Sequence, residues 1–207
     1  MNSTRKKIRC RRCKKDYYQV GHGRKSCPYC DKNALVPNGT IAILQMKIRP
    51  GGYDDDALCL EAGLGTKAKS GAVYLRCIVT VLSGKHKDKK FTLPIGILSD
   101  KSDYWQNKGR ELIRRILNSS QGLSSSDNSR RAVFSRIIES YDVLNGICFV
   151  GVIGVRKNRF GKEENSITRV LSADDEDYKE LILRKDFVPA QKVPPPSEPS
   201  SAMWRRA

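Results

Sequence analysis

The chain has 207 residues, with 39 Lys or Arg against 22 Asp or Glu, a formal net charge of +17 and a pI near 9.7. A hydrophobic fraction of 39% with 29% charged residues can bury a core of ordinary size, which excludes wholesale disorder and suggests one domain with appendages. No apolar run approaches the ~18 residues of a membrane span, and the basic start lacks the apolar stretch of a secretory signal, so the expectation is a cytoplasmic protein with no membrane partner.

The excess charge is uneven along the chain. Residues 1–33 carry 11 basic and 2 acidic side chains, residues 34–188 carry 25 and 19, and residues 189–207 carry 3 and 1. Such basicity points to a polyanion, most often nucleic acid, because each phosphate neutralised by Lys or Arg releases condensed counterions. An anionic membrane surface would call for an amphipathic basic helix with an aromatic face, and none is evident.

Seven cysteines in a reducing compartment do not read as a disulfide framework. Four of them form two C-x-x-C pairs, Cys10-Arg-Arg-Cys13 and Cys27-Pro-Tyr-Cys30, separated by the 13 residues 14–26. Four thiolates converging from two such pairs make a closed tetrahedral set for structural Zn(2+), with no open position for catalysis. Cys27-Pro-Tyr-Cys30 also matches a glutaredoxin-type redox sequence, but that use needs a βαβ context that the flanking residues lack. An iron–sulfur cluster accepts four thiolates as well, while the ribbon spacing favours zinc. His22, between Gly21 and Gly23, reads as a turn residue, and Tyr17, Tyr18 and Val20 before it suggest a short hairpin within the spacer. The metal would supply folding energy to a segment too small for its own core. It would also fix Arg9, Arg11, Arg12, Lys14 and Lys15 in one array. Neutralising a dianionic Zn(Cys)₄ centre needs about two charges, so the surplus reads as phosphate contacts.

TIAILQMKIR (residues 40–49) and AVYLRCIVTVL (72–82) are rich in β-branched and apolar residues and read as strands, with ALCLEAGLG between them adding a short one. In the second strand Val73, Leu75, Cys77, Val79 and Val81 form the core set, while Tyr74 and Arg76 lie on the mixed face. The lysine-rich turn 83–90 leads into FTLPIGIL, where Phe91, Leu93, Ile95 and Ile97 share a face, completing a hairpin. From Asp103 the period becomes helical: Trp105, Leu112, Ile113, Ile116 and Leu117 make one stripe with Gly109 inside it, and the stretch Ser119–Gly122 stops the helix. A second helix is expected from near Asp127, with Val133, Phe134, Ile137 and Ile138 on its apolar side. GICFVGVIGVRK, a turn at Asn158–Gly161, and NSITRVLS make a further hairpin. The acidic run from Asp174 reads as a helix N-terminus, and the tail from Val188, with five prolines, reads as disordered or polyproline.

Three strands, a helical insertion and two more strands is the connectivity of an OB-fold, so the expected fold class is mainly β with a helical insertion (α+β). The boundaries read from sequence are a zinc ribbon over 1–37, an OB-fold nucleic-acid-binding domain over 38–178, and a short helix then Pro/Ser-rich tail over 179–207. A generic α+β sheet would produce a similar string.

From about Met46 to Tyr178, the succession KIRPGG, SGAVYLRCIVTVLSGKHKDKKF, RELIRRILNSSQG, GICFVGVIGV and NSITRVLSADDEDY resembles a family of phage and integrative-element proteins. The resemblance implies an OB-fold related to single-stranded DNA-binding proteins, acting in replication, recombination or transfer of mobile-element DNA, and working as homo-oligomers in many relatives. This chain departs from it by the added N-terminal cysteine module. It also lacks the acidic, phenylalanine-ended tail of bacterial single-strand binding proteins, ending instead in Met203-Trp204-Arg205-Arg206-Ala207.

An OB-fold binds a strand through stacked bases and a basic groove. The candidate contacts are Arg156, Lys157, Arg159, Phe160 and Lys162 in the second hairpin turn, Lys85, Lys87, Lys89 and Lys90 in the first, and Tyr74 and Arg76 between. Phe160 suits either a stacking platform or a clip against the barrel, the default reading of the lysine turn is ordinary solvated protection of a hairpin, and Tyr74 suits a packed tyrosine equally. Gly65–Gly71 does not match a P-loop. Asp54-Asp55-Asp56 cannot all face one metal, and neither histidine has a nucleophilic partner, so no catalytic residues are expected and the chain reads as a non-enzyme. The alternatives to single-stranded DNA binding are a zinc-ribbon adaptor gripping a replication or recombination protein, and an RNA-binding protein.

Overall fold

The computed structural model describes residues 6–10, 14–19, 35–158 and 160–190. At the N-terminus β1 (Lys6–Arg9) pairs antiparallel with β2 (Asp16–Gln19), Ile8 opposite Tyr17 and Arg9 opposite Asp16, with Lys7 and Asp16 in an ion pair at 3.1 Å. A hairpin thus straddles the first cysteine pair. Closing the short loop 10–15 costs little entropy and aligns the ion pair. Residues 20–34, with the Gly21-His22-Gly23 turn, lie outside the described residues.

The main sheet contains β3 (Thr40–Ile48), β4 (Tyr53–Asp55), β5 (Leu60–Lys67), β6 (Val73–Val81), β7 (Lys90–Leu98), β8 (Cys148–Lys157) and β9 (Glu163–Val170), in the order β4-β5-β6-β3-β8-β9 with β7 on the other edge of β6. Every pairing is antiparallel. β3 pairs with β8 along its first half, from Thr40 opposite Ile153 to Gln45 opposite Cys148, and with β6 along its second half, from Leu44 opposite Val81 to Ile48 opposite Cys77. That split bends the sheet, β7 comes close to β9, and the result is a curled half-barrel. The mainly β expectation with a helical insertion thus holds, and β4–β5 is a hairpin inserted between the first two long strands.

Alternation fills the barrel. Val73, Leu75, Cys77, Val79 and Val81 of β6 are buried together with Leu93, Ile95 and Ile97 of β7, Leu44 and Met46 of β3, and Phe149 and Ile153 of β8. Each such side chain contributes about 1.5–3 kcal/mol by leaving water. Burial also pushes the Cys77 thiol up to about 12, so it is an inert core residue.

Helix α1 (Asp103–Gln121) is capped by the Ser102 hydroxyl, which accepts the Tyr104 N–H at 3.1 Å, and ends at Gly122 in the left-handed region (φ 66°). It lies on β7 with Ile113, Ile116 and Leu117 buried. Gly109 makes this approach possible, since a Cβ there would stand 1.9 Å from the Gly96 carbonyl oxygen. The helix runs through Ser119 and Ser120, and the polar groups of Ser119 are satisfied. The Ser119 hydroxyl accepts the Val150 N–H at 2.9 Å, and the Tyr178 hydroxyl donates to the Ser119 carbonyl at 2.5 Å.

Helix α2 (Arg130–Arg136) corrects the sequence expectation. It begins after Ser129, whose hydroxyl accepts the Ala132 N–H, and Ala132 is its one buried residue, whereas Val133, Phe134 and Ile137 are 47%, 39% and 61% exposed. Polar bonds position it instead. Arg136 donates to the Asn118 side chain (2.8 Å) and to the carbonyls of Asp127 (2.5 Å) and Ser124 (2.9 Å), which leaves the apolar residues facing outward. Helix α3 (Glu176–Leu183) starts at the acidic run, and Tyr178 and Phe187 pack edge to face (5.8 Å, 71°) with Ile43, Val150 and Leu171 on the outer side of the sheet. Among the described residues no helix is long and apolar enough to cross a membrane.

Candidate nucleic-acid interface

β6 and β8 both run antiparallel to β3 and so leave it in the same direction, β6 ending at Val81 opposite Leu44 and β8 running on to Lys157, past Ile153 opposite Thr40. The loops that leave them, 82–89 and 158–162, therefore point the same way, the second lying further along the strand direction than the first. These are the two basic turns singled out in the sequence.

The first loop is tied down by Ser83, whose hydroxyl accepts the Ile43 N–H at 2.9 Å, and by the Asp88 N–H donating to the Val81 carbonyl at 2.8 Å. It turns through positive φ at Gly84 (72°) and Asp88 (69°). Lys85, Lys87 and Lys90 project into solvent, but Lys89 is only 9% exposed and belongs to the loop's interior. His86 is half-buried, and burial, followed by the charges of Lys89, Lys15 and Lys85, holds its pKa below the ordinary imidazole value. Lys15 belongs to the N-terminal hairpin. The hairpin's cationic loop and the lysine turn, 70 residues apart in sequence, thus share one surface.

Within that hairpin Cys10 is buried, its N–H donating to the Lys15 carbonyl and its carbonyl accepting the Lys14 N–H, both at 2.9 Å. Lys14 adopts a left-handed conformation (φ 58°), and Arg9 Nε donates to its carbonyl at 3.1 Å, so Arg9 braces the loop. Lys14 and Lys15 are exposed. Arg11, Arg12, Cys13, Cys27 and Cys30 lie outside the described residues, and among the described residues no three His, Cys, Asp or Glu side chains gather as metal ligands.

The second loop is organised by the Asn158 side chain, whose amide oxygen accepts the N–H groups of Phe160 (3.0 Å) and Lys162 (3.1 Å), with Gly161 at φ 76°. Phe160 is 77% exposed, which excludes the clip against the barrel. Lys157 and Lys162 are exposed, Arg156 forks onto the Glu164 carboxylate through two 3.0 Å contacts, and Arg159 lies outside the described residues.

Tyr74 and Arg76 are elsewhere. They sit in the first half of β6, away from the lysine turn, and Tyr74 packs against Trp105 of α1 (centroids 5.9 Å apart, tilted 54°). Arg76 stands opposite Pro94 with its Nε buried and without a hydrogen-bond partner among the described residues. Neither faces the cationic loops. The Asp54 carboxylate accepts the Gly63 N–H, and Asp55 accepts the Tyr53 hydroxyl and the Leu58 N–H, so both serve turns.

Sequence reasoning passed over Tyr18, which is 67% exposed on β2 beside the Lys14–Lys15 loop. Its signal was the Asp-Tyr-Tyr-Gln alternation, in which Tyr17 and Tyr18 must face opposite ways once the segment is a strand. In comparisons with known proteins, no family model, curated sequence or solved structure matches this chain.

Proposed function

We propose that the chain is a non-catalytic single-stranded DNA-binding protein. The observation that carries this reading is the approach of the Lys14–Lys15 hairpin loop to the lysine turn after β6, with Lys85, Lys87 and Lys90, while Lys157 and Lys162 around the β8–β9 turn leave the sheet in the same direction. Two exposed rings, Tyr18 and Phe160, stand among these cations. Phosphates would follow the lysines while unpaired bases stack on the rings, each stack worth ~1–3 kcal/mol. A duplex offers no free base faces to such rings.

The strand connectivity supports an OB-fold reading, with β3, β6, β7, β8 and β9 as the five strands, α1 between the third and fourth, and β4–β5 as an insertion. The donor chemistry fits zinc. Cys10 lies buried at the mouth of a turn closed by the Lys14 and Lys15 backbone, with Lys14 left-handed just after the second cysteine of the pair. Cys10, Cys13, Cys27 and Cys30 would hold the ion, and zinc would stabilise the ribbon and fix Arg11 and Arg12 beside the lysine turn. A role in replication, recombination or transfer of mobile-element DNA follows from the family resemblance.

The test is a titration of the metal-quantified full chain with oligo-dT, oligo-U and a duplex of equal length, read by fluorescence anisotropy at low salt. Tighter binding of oligo-dT than of duplex is expected. Equal affinity for duplex and single strand overturns the proposal, and preference for oligo-U moves the substrate to RNA.

A further inference from the structure

A cavity of about 200 Å³ opens where the turn Asp56–Leu58 and the end of β7 meet α1 and the one-turn helix Tyr141–Leu144. Ile97 and Ile138 give it an apolar wall, while Cys59, Arg110, Ser140 and Tyr141 bring polar groups to it. None of the described residues lining it is acidic.

Each of these polar groups is positioned by the fold and keeps a donor unused. Cys59 closes its turn in a left-handed conformation (φ 53°), its N–H donating to the Asp56 carbonyl at 3.1 Å, and its thiol is exposed. The Ser140 hydroxyl accepts the Asp142 N–H at 3.3 Å, so its own proton remains to be donated. Tyr141 packs half-buried against the core, and its hydroxyl has no hydrogen bond among the described residues. Burial, and then Cys59, raise its pKa, which keeps the phenol a neutral donor. Arg110 has no ion pair among the described residues, because the adjacent Glu111 carboxylate is taken by Lys108 and Arg115. Its charge acts on Tyr141 instead.

A guanidinium and three further donors around one cavity, with no carboxylate among them, select an anion. The fork of Arg110 matches two oxygens of a carboxylate or a phosphate. A planar carboxylate is satisfied by that fork alone, whereas a tetrahedral phosphate has further oxygens for the hydroxyls. The volume equals that of about six waters at ~30 Å³ each, room for a phosphate group, and falls below the ~300 Å³ at which drug-sized ligands begin. We infer that the cavity binds a phosphate group, with Arg110 as its fork, the Ser140 and Tyr141 hydroxyls as further donors and the Cys59 thiol at its edge. β7 begins at Lys90 and reaches the cavity at Ile97, so the site lies ~23 Å along the strand from the lysine turn. Two sources of phosphate fit that position, the free ion and the terminal phosphate of a strand held at the turn. The inference does not rest on the single-strand reading.

The experiment uses the full chain and takes Cys59 as reporter. Its reaction with iodoacetamide is followed by mass spectrometry of the tryptic peptide 48–67, in which it is the one cysteine. Inorganic phosphate should slow the reaction saturably, and chloride at the same ionic strength should not. Arg110→Gln, at an exposed helix position, should abolish the protection with the circular dichroism spectrum unchanged. Tyr141→Phe, which keeps the ring, should raise the half-protecting phosphate concentration about tenfold. No saturable protection, equal protection by chloride, or protection unaltered in Arg110→Gln overturns the inference. With the site upheld by inorganic phosphate, stronger protection by 5′-phosphorylated than by unphosphorylated oligo-dT assigns the group to a strand end, and equal protection assigns it to the free ion. Protection by phosphate in a chain that ignores oligo-dT upholds the cavity while the single-strand reading falls.

Discussion

Gly109→Ala sets two effects of opposite sign against each other. Replacing glycine in a helix interior ordinarily stabilises by about 1 kcal/mol, because alanine loses less backbone entropy. Here the new Cβ would stand 1.9 Å from the Gly96 carbonyl oxygen, 2.8 Å from its carbon and 3.0 Å from its nitrogen. All three are backbone atoms of β7, so no rotamer relieves the overlap. Restoring an ordinary contact of ~3.4 Å requires α1 to withdraw by roughly 1.5 Å, which loosens Ile113, Ile116 and Leu117 and lifts Trp105 off Gly96. Overpacking of this kind costs about 1–3 kcal/mol after the propensity gain is included. Urea denaturation followed by circular dichroism should show the midpoint falling at an unchanged m-value. A midpoint that rises would refute the packing of α1 on β7.

Three further outcomes follow from the geometry. Asp174 accepts from the hydroxyls of Ser124 (2.6 Å), Ser125 (2.7 Å) and Ser172 (3.3 Å) and from the Ser125 N–H (2.7 Å), which holds its carboxyl down at about 2. A lowered carboxyl stabilises the fold above its unfolded pKa and loses that contribution as pH falls through its folded pKa, so Asp174→Ala should cost about 1 kcal/mol at neutral pH after allowance for solvent exposure, and much less near pH 2. An equal cost at both pH values would refute the assignment. Burial, and then the charges of Lys89, Lys15 and Lys85, hold the His86 pKa below the ordinary imidazole value, and a bound phosphate would raise it. Oligo-dT affinity should therefore increase as pH falls below about 6.5, and His86→Gln should flatten that dependence. Tyr18→Ala and Phe160→Ala, at exposed rings, should each weaken oligo-dT binding by ~1–3 kcal/mol while leaving thermal stability unchanged. Unaltered affinity in both would remove stacking from the account.

What the sequence disclosed depended on how local each signal was. The odd positions from Val73 to Val81 alternate too cleanly to be anything but a strand with one buried face, and the Ile113–Leu117 stripe with Gly109 marks a helix lying close on its support. The outward face of a strand carries no such mark. Tyr74 and Phe160 look alike in sequence, and only the tertiary structure, which sets Trp105 of α1 against Tyr74 while Phe160 is 77% exposed, separates them. Val133, Phe134 and Ile137 have the spacing of a core face, yet α2 is steered by the polar fork of Arg136, a long-range effect invisible to periodicity. Lys89 and Lys87 are equally basic residues of one turn, but tertiary packing buries the first. The approach of Lys15 to His86 spans 71 positions and has no local signature.

The claim that a cationic surface binds single strands is tested most directly by salt. Oligo-dT affinity of the wild-type chain should fall linearly on a log–log plot with ionic strength, at a slope of ~0.7 per phosphate neutralised. Replacing Lys85, Lys87 and Lys90 together by glutamine should reduce that slope by up to ~2 while leaving the circular dichroism spectrum intact. A wild-type chain that ignores oligo-dT at low salt, or a triple variant whose slope matches wild type, would contradict the account.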